Sequence, residues 1–132
     1  FRKTFSMKRK ISSNNAPKPI GPYSQAIKID SLLFISGQIG INPETNLLVN
    51  DNIKEETRMV MENIKSILLE SSCTFDHIVK CSIFLSNMKK FNDVNEIYGK
   101  YFKEPYPARE TIEVKALPKN VNVEISAIAI CK

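Results

Sequence analysis

The pattern that most restricts the fold lies near the C-terminal end of the chain. Every second residue there is apolar, namely Val121, Val123, Ile125, Ala127 and Ala129. Successive side chains of a β-strand point to opposite faces of the sheet, so this spacing predicts a strand with one buried face. Glu124 falls on the opposite face, where burying an acid is costly unless it meets water or a partner. The same strand therefore carries core residues and a candidate functional acid.

Arg109 precedes a second, weaker strand pattern at residues 111–114. Pro107 keeps the backbone that leads into Arg109 extended. Between the two strand patterns, Pro118 and Asn120 favour a short turn, so we predict a hairpin. The planar guanidinium of Arg109 offers a fork of donors that suits a carboxylate or a phosphate.

The rest of the chain supplies four more strands and two helices. Strands are predicted at residues 26–29, 32–36, 47–49 and 78–85, and helices at 53–71 and from 86 or 87 to 102. Asp51 or Asn52 suits the cap of the first helix. The strand at 78–85 follows a crossover helix, so we expect it to run parallel to an earlier strand.

The order β-β-β-α-β-α-β-β predicts an α/β (α+β) protein. We expect a mixed six-stranded sheet with both helices packed on one face. No predicted helix remains to cover the other face. Self-association would bury that face and any unpaired sheet edge, so we predict a homo-oligomer.

The net charge of +5 is not spread over the domain. Six of the 19 basic side chains lie in residues 1–19, which contain no acid. Residues 20–132 contain the other 13 basic side chains and all 14 acidic ones. A nucleic-acid surface needs basic residues clustered on the folded domain, so the charge disfavours one. We predict a flexible basic arm at residues 1–16, either a leader remnant or residues added to the natural chain, and a single domain at 17–132. The location is then cytoplasmic, or mitochondrial or plastid if the arm is a leader.

Three cysteines and one histidine restrict the chemistry further. Cys73, Cys81 and Cys131 are odd in number and form no CxxC pair, so the spacing predicts neither a disulfide framework nor a zinc site. We interpret the cysteines as small core residues in a reducing compartment. His77 is interpreted as a residue at the entry of a strand, because no nucleophile can be assigned around it. No apolar run approaches the length of a membrane span.

Six short motifs occur in order along residues 16–131. They are Gly21-Pro22-Tyr23-Ser24-Gln25, Phe34-Ile35-Ser36-Gly37-Gln38, Phe91-Asn92-Asp93-Val94-Asn95, Pro107-Ala108-Arg109, Leu117-Pro118-Lys119 and Val123-Glu124-Ile125. Each motif is common by itself, but together they resemble the Rid family (YjgF-type, reactive intermediate deaminase, also known as endoribonuclease L-PSP). The resemblance implies a chorismate-mutase-like fold and a homotrimer with clefts between subunits.

The resemblance also implies an activity and a site. The activity is hydrolytic deamination of reactive enamines and imines, such as 2-aminoacrylate, 2-iminopropanoate and 2-iminobutanoate, to 2-oxo acids and ammonia. Arg109 would bind the substrate carboxylate and Glu124 would act near the imine carbon and its attacking water. Tyr23, Ser36, Asn95 and Thr111 would line the cleft. Thr111 stands where many bacterial members have cysteine, so a thiol-dependent role is not expected. The reaction needs no metal or cofactor, because a protonated imine is already electrophilic.

Two other functions stay open. One is an endoribonuclease or translation-inhibiting RNA-binding protein, and the other is a trimer that binds small carboxylates without turnover. Several site residues also have ordinary structural interpretations. Arg109 could form a surface ion pair, Tyr23 could pack its ring, Ser36 could end a strand and Asn95 could bond locally on its helix.

Overall fold

A computed structural model describes residues 7–132 of the 132-residue chain. It contains eight strands and two α-helices. The strands are β1 (Arg9–Ile11), β2 (Ala26–Ile29), β3 (Leu32–Gln38), β4 (Ile41–Asn42), β5 (Leu47–Leu48), β6 (Ile78–Leu85), β7 (Ala108–Glu113) and β8 (Val123–Ile130), and the helices are α1 (Ile53–Glu70) and α2 (Phe91–Gly99). Six strands form one sheet in the order β1-β2-β3-β8-β6-β7. All neighbours are antiparallel except β6 and β7.

Both helices pack on one face of this sheet, as the sequence predicts. Val123, Ile125, Ala127 and Ala129 of β8 are buried in a core that also contains the apolar stripe of α1 and Val94 and Tyr98 of α2. Glu124, Ser126 and Ile128 are only partly buried and belong to the opposite face. The mixed six-stranded α+β architecture is therefore confirmed. We call the helix-covered side the inner face of the sheet and the other side the outer face.

The helix α1 begins and ends close to its predicted limits. The side chain of Asn52 accepts a hydrogen bond from the Glu55 backbone N–H at 2.9 Å, which satisfies one free donor of the first turn. The second helix is shorter than predicted. Asn87 caps a 3₁₀ turn at Met88–Lys90, and α2 follows only from Phe91 to Gly99.

The hairpin predicted at the end of the chain is wrong. β6 lies between β7 and β8, pairing parallel with β7 and antiparallel with β8. Local periodicity identifies strands but not their partners, because pairing is decided by packing across the sheet. For the same reason the expectation for β6 is only half right. It runs in the direction of β3, since both are antiparallel to β8, but it does not pair with β3.

The sixth strand of the main sheet comes from the segment predicted to be a flexible arm. Arg9–Ile11 pairs with β2, and Ser13 and Ala16 are buried. The predicted third strand at 47–49 instead forms a separate two-stranded sheet with Ile41–Asn42. The arm prediction is therefore wrong for residues 9–16: backbone pairing with β2 holds residues 9–11, and the side-chain amide of Gln25 bonds to Ser13 and Ala16. Residues 1–6 lie outside the described part of the chain.

The cysteines are buried, as expected, but two of them are paired. Cys73 and Cys131 form a disulfide across 58 residues, with their Cα atoms 5.9 Å apart, and Cys81 is a free buried thiol. The sequence predicted no disulfide framework and three small core cysteines, and this single pairing was not anticipated because only the fold brings these distant positions together. Among residues 7–132, none of the helices has the length and apolar character needed to cross a membrane.

Candidate active site

Five of the six residues predicted to form one site line two separate cavities, and Thr111 lines neither of them. Tyr23, Ser36 and Glu124 line a cavity of about 300 Å³, together with Ile20, Gly37, Ile39 and Pro118. Asn95 and Arg109 line a second one of about 320 Å³, together with Tyr98, Gly99, Tyr106 and Pro107. We call these the Glu124 cavity and the Arg109 cavity.

Strand register places the two key side chains on opposite faces of the sheet. Arg109 is aligned with Cys81 on β6, and Cys81 is aligned with Ala127 on β8. Both neighbours are buried in the inner core, so Arg109 belongs to the inner face. Glu124 is an odd number of residues from Ala127 and belongs to the outer face. Within one chain the sheet therefore separates Arg109 from Glu124.

Glu124 is a half-buried carboxylate to which the described residues give neither a hydrogen bond nor an ion pair. Burial raises the pKa of its carboxyl group above the ordinary value, because the charged form loses hydration. Gly37 lies directly against it. A Cβ atom at position 37 would come within 2.7 Å of Cδ and Oε2 of Glu124. A side chain at position 37 would therefore collide with the Glu124 carboxylate.

The hydroxyl groups of Tyr23 and Ser36 each form one hydrogen bond with the backbone. The Ser36 hydroxyl donates to the Ser24 carbonyl at 2.6 Å, so towards a ligand Ser36 can act only as an acceptor. The Tyr23 hydroxyl accepts the backbone N–H of Ile20 at 3.3 Å and keeps its own proton to donate. The cavity thus offers an acid or base, a donor and an acceptor on an otherwise apolar surface.

A buried glutamine fixes the segment that leads to Tyr23. The side chain of Gln25 accepts the Ser13 N–H at 2.7 Å and donates to the carbonyls of Ser13, Ala16 and Pro17. Gln25 is 3% exposed, and its four hydrogen bonds hold residues 13–17 against the start of β2. The motif containing Gln25 was recognised in the sequence, but its role was not.

Two polar residues of α1 hold other parts of the same cavity, and the sequence analysis missed both. Glu56 accepts hydrogen bonds from the backbone N–H groups of Asn122 and Val123 and from the Asn122 side chain. Asn63 donates to the carbonyls of Ile39 and Ile41 at 3.2 and 2.9 Å. A usable signal was present, since Glu56 and Asn63 flank Val60 at helical spacing on the apolar stripe.

The Arg109 cavity is built by aromatic packing. The guanidinium carbon of Arg109 lies 5.0 Å from the ring centre of Tyr98 and 5.7 Å from that of Phe91. Both rings belong to α2, so the cation is held over their faces. Asn95 is one turn away on the same helix, and its side chain has no hydrogen-bond partner among residues 7–132. Local bonding on the helix therefore does not occupy Asn95.

Two buried hydroxyls and one uncharged thiol lie near Arg109. The buried hydroxyls of Tyr98 and Thr111 have no oxygen or nitrogen partner within the described chain, and the Tyr98 hydroxyl interacts with the Cys81 thiol. The Cys81 thiol lies beside Tyr98 and Arg109, and burial raises its pKa to about 11. The thiol is therefore protonated at neutral pH and is a poor nucleophile.

The remaining candidates are structural. His77 Nδ1 accepts the Thr74 N–H at 2.9 Å and completes a capping box at the entry of β6, as its interpretation from the sequence anticipated.

Residues 7–132 contain no group of three or more His, Cys, Asp and Glu side chains placed to hold a metal ion.

The six-stranded sheet with two helices on one face defines a small α+β protein of the chorismate-mutase-like class. The family described as Endoribonuclease L-PSP matches residues 13–131, and the chain belongs to this family, the Rid or YjgF proteins.

Relatives with several different names are similar to the chain. A RutC family protein of Pyrococcus horikoshii is 50% identical over 93% of this chain and 98% of its own length. The human 2-iminobutanoate/2-iminopropanoate deaminase is 44% identical, covering 94% of this chain and 90% of that protein. The crystal structure of Escherichia coli TdcF with bound serine is 34% identical and superposes with a TM-score of 0.89, covering 94% of this chain and 99% of TdcF.

Proposed function

We propose that this protein hydrolyses reactive 2-imino acids and their enamine tautomers to 2-oxo acids and ammonia. The observation that carries the proposal is Glu124, a partly buried carboxylate with a raised pKa and no partner in a small apolar cavity. A group whose pKa is moved towards neutrality is suited to transfer protons. The name of the human relative supports the same reaction class.

Hydrolysis requires proton transfer and no covalent enzyme intermediate. Water adds to the C2 atom of the protonated imine while Glu124 takes one proton from the water. The same proton then moves to the amino nitrogen of the tetrahedral adduct. The C2–N bond breaks as the hydroxyl of the adduct loses its proton to solvent water, which releases ammonia and the 2-oxo acid. An enamine such as 2-aminoacrylate first takes a proton at C3 to become the imine. Glu124 thus acts as base and then as acid.

Arg109 provides the anchor for the substrate carboxylate in this proposal. Its guanidinium can form a bidentate pair with a carboxylate, and the rings beneath it restrict its orientation. Tyr23, Ser36, Asn95 and Thr111 complete the proposed substrate contacts. TdcF crystallised with serine, a small molecule with a carboxylate, which agrees with this type of ligand.

The proposed site needs a second copy of the chain, because Arg109 and Glu124 lie on opposite faces of one sheet. The outer face supports self-association. Phe34 and Ile130 are each 42% exposed there, and Leu32 is 37% exposed. Such contiguous apolar surface is characteristic of interfaces. We propose a homotrimer in which Glu124 of one subunit meets Arg109 of the next.

A coupled assay tests the activity directly. A threonine or serine dehydratase generates the imino acid, and its ultraviolet absorbance is followed with and without the purified protein. Faster decay than in buffer, with equal formation of 2-oxo acid and ammonia, supports the proposal. Decay at the buffer rate, with a trimer confirmed by mass measurement, would exclude imine hydrolysis and leave carboxylate binding without turnover.

The family description keeps ribonuclease activity as a second hypothesis. The single histidine is committed to a capping box, and 13 basic residues against 14 acidic ones in residues 20–132 do not favour RNA binding. Deleting residues 1–8 leaves the strand β1 intact and removes basic residues. If RNA binding is lost while imine hydrolysis persists, RNA binding is an electrostatic property of the terminus.

A further inference from the structure

Glu56 is the most deeply buried acidic side chain near the Glu124 cavity. It is 1% exposed, and none of the described residues places a cation within ion-pair distance of it. Its charge is met instead by three N–H donors. Oε2 accepts the Asn122 and Val123 backbone N–H groups at 2.8 and 3.3 Å, and Oε1 accepts the Asn122 side-chain amide at 2.8 Å. A buried carboxylate satisfied by one short segment acts as a fixed anchor for that segment.

The anchored segment ends directly before Glu124. Asn122 and Val123 are the two residues that lead into it, and their sequence separation from Glu56 is 66 and 67 residues. The Glu124 side chain has no hydrogen bond of its own within residues 7–132, so its backbone position decides where the carboxylate lies. Gly37 limits the carboxylate on the other side by direct contact.

Glu56 itself has little freedom to move. A Cβ atom at Gly40 would come within 3.0 Å of Glu56 Cγ and 3.2 Å of its backbone oxygen, so the chain passes closely over this side chain. The backbone of α1 fixes the other end of Glu56. Helix, anchor and strand therefore form one rigid connection from α1 to Glu124.

We infer that Glu56 is a positioning residue for the reaction at Glu124. By holding Asn122 and Val123, it fixes the distance between the Glu124 carboxylate and a substrate that is anchored elsewhere. Displacement of a reacting group by about 1 Å can cost about 100-fold in rate. The inference rests on the proposed function, but the anchoring of β8 can be measured without it.

Three variants test the role. Glu56→Met fills similar space and removes every acceptor, so we expect kcat to fall by about 10- to 100-fold. KM should change little, because the proposed carboxylate anchor, Arg109, is elsewhere. Glu56→Gln should restore most of the turnover, since its amide oxygen can accept both backbone N–H groups and the Asn122 amide can rotate to offer its oxygen. Thr57→Val is the matched control. Thr57 is also buried on α1 but bonds only to the Ile53 carbonyl, so its loss should leave kcat unchanged.

A readout that does not depend on turnover accompanies the kinetics. Amide hydrogen exchange at Asn122 and Val123 should accelerate in Glu56→Met and not in Thr57→Val. If the wild type shows no imine hydrolysis, the proposed function fails, and this exchange pattern still decides whether Glu56 holds β8. If Glu56→Met does not fold, Asn122→Ala removes one of the three bonds and should give a smaller fall in kcat at constant KM.

The inference is overturned if Glu56→Met or Asn122→Ala keeps the kcat of the wild type. It is also overturned if Glu56→Gln loses as much turnover as Glu56→Met, because the effect would then follow the charge and not the anchoring. A parallel rise of KM in all three Glu56 and Asn122 variants would show general loosening of the structure and would contradict a positioning role.

Discussion

The Glu124 cavity and the Arg109 cavity are nearly equal in volume but are built by different interactions. Around the Glu124 cavity, buried side chains of Gln25, Glu56 and Asn63 bind backbone groups of the surrounding segments. Around the Arg109 cavity, the faces of Tyr98 and Phe91 support a guanidinium. Hydrogen bonds fix backbone atoms closely, whereas aromatic packing restrains a cation and leaves its donors free.

This difference between the two cavities agrees with the two proposed tasks, which are proton transfer at Glu124 and carboxylate binding at Arg109. A proton-transfer group must be placed accurately and must lose some hydration, and Glu124 meets both conditions. A carboxylate anchor must keep its donor fork accessible, and a guanidinium stacked over rings does so. Neither cavity supplies both functions. The comparison therefore supports a site completed between two copies of the chain.

The largest expected effect comes from Glu124→Gln. The amide keeps the shape of the side chain but cannot transfer protons, so kcat should fall by about 10²- to 10⁴-fold. Affinity for 2-oxobutanoate, measured by calorimetry, should stay close to that of the wild type. Glu44→Gln, in an exposed turn, is the control. Turnover retained in Glu124→Gln would remove this residue from the chemistry.

Arg109→Ala should act mainly on binding. Loss of a charged hydrogen-bonded pair costs about 1.5–3 kcal/mol, so the dissociation constant for 2-oxobutanoate should rise by roughly 10- to 150-fold. Arg109→Lys should recover only part of this affinity, because an ammonium group cannot form the bidentate pair. Arg58→Ala serves as the control, because Arg58 is a partly exposed arginine of α1 that pairs with Glu55 and lines neither cavity. Unchanged affinity in Arg109→Ala would contradict the carboxylate role.

Mixing the Glu124→Gln and Arg109→Ala variants, at a substrate concentration too low for Arg109→Ala to turn over appreciably, tests whether the cavities meet between subunits. Glu124→Gln and Arg109→Ala chains are co-expressed and assembled together. In a cyclic trimer, about a quarter of the clefts then combine an intact Glu124 with an intact Arg109, so activity should return to about a quarter of the wild-type value. A site contained within one chain would give no recovery.

Tyr98 variants test the aromatic support of Arg109. Tyr98→Leu removes a ring face that contributes about 0.5–2 kcal/mol, so KM should rise by about 2- to 30-fold. Tyr98→Phe keeps the ring and removes a buried hydroxyl whose neighbour is the Cys81 thiol, a weak hydrogen-bonding group, so KM should hold and thermal stability should change little. Equal KM values for the two variants would show that the ring does not orient Arg109.

The smallest expected effect is the pH dependence of stability at Glu124. Because the pKa of Glu124 is raised in the folded state, its contribution to stability is present below the ordinary pKa of 4.5 and is lost as pH rises through the raised value. Glu124→Gln has no ionisable group at this position, so it does not lose stability in this way as pH rises. The melting temperature of the variant relative to the wild type should therefore increase between acidic and neutral pH, and a constant difference would contradict the raised pKa.

The sequence predicted most of the fold. All of the named site residues lie in or beside the two cavities, but the sequence did not predict which residues share a cavity. The alternation in β8 correctly separated Glu124 from the core row, and the stripe of α1 was correctly placed. The partner of each strand was not predictable, since β7 and β8 are close in sequence yet separated by β6. Glu56 and Asn63 were missed because a polar residue on an apolar stripe shows its partners only in three dimensions.

By itself, the sequence determined which residues face which side of each element, because side-chain direction follows from the local periods of strands and helices. It also determined the family, through six ordered motifs. Only the tertiary structure decided that residues 9–11 join the sheet, that Cys73 meets Cys131, and that Arg109 and Glu124 lie on opposite faces. Those features depend on contacts between distant segments, whose free energy arises from packing and hydrogen bonding that no local pattern encodes.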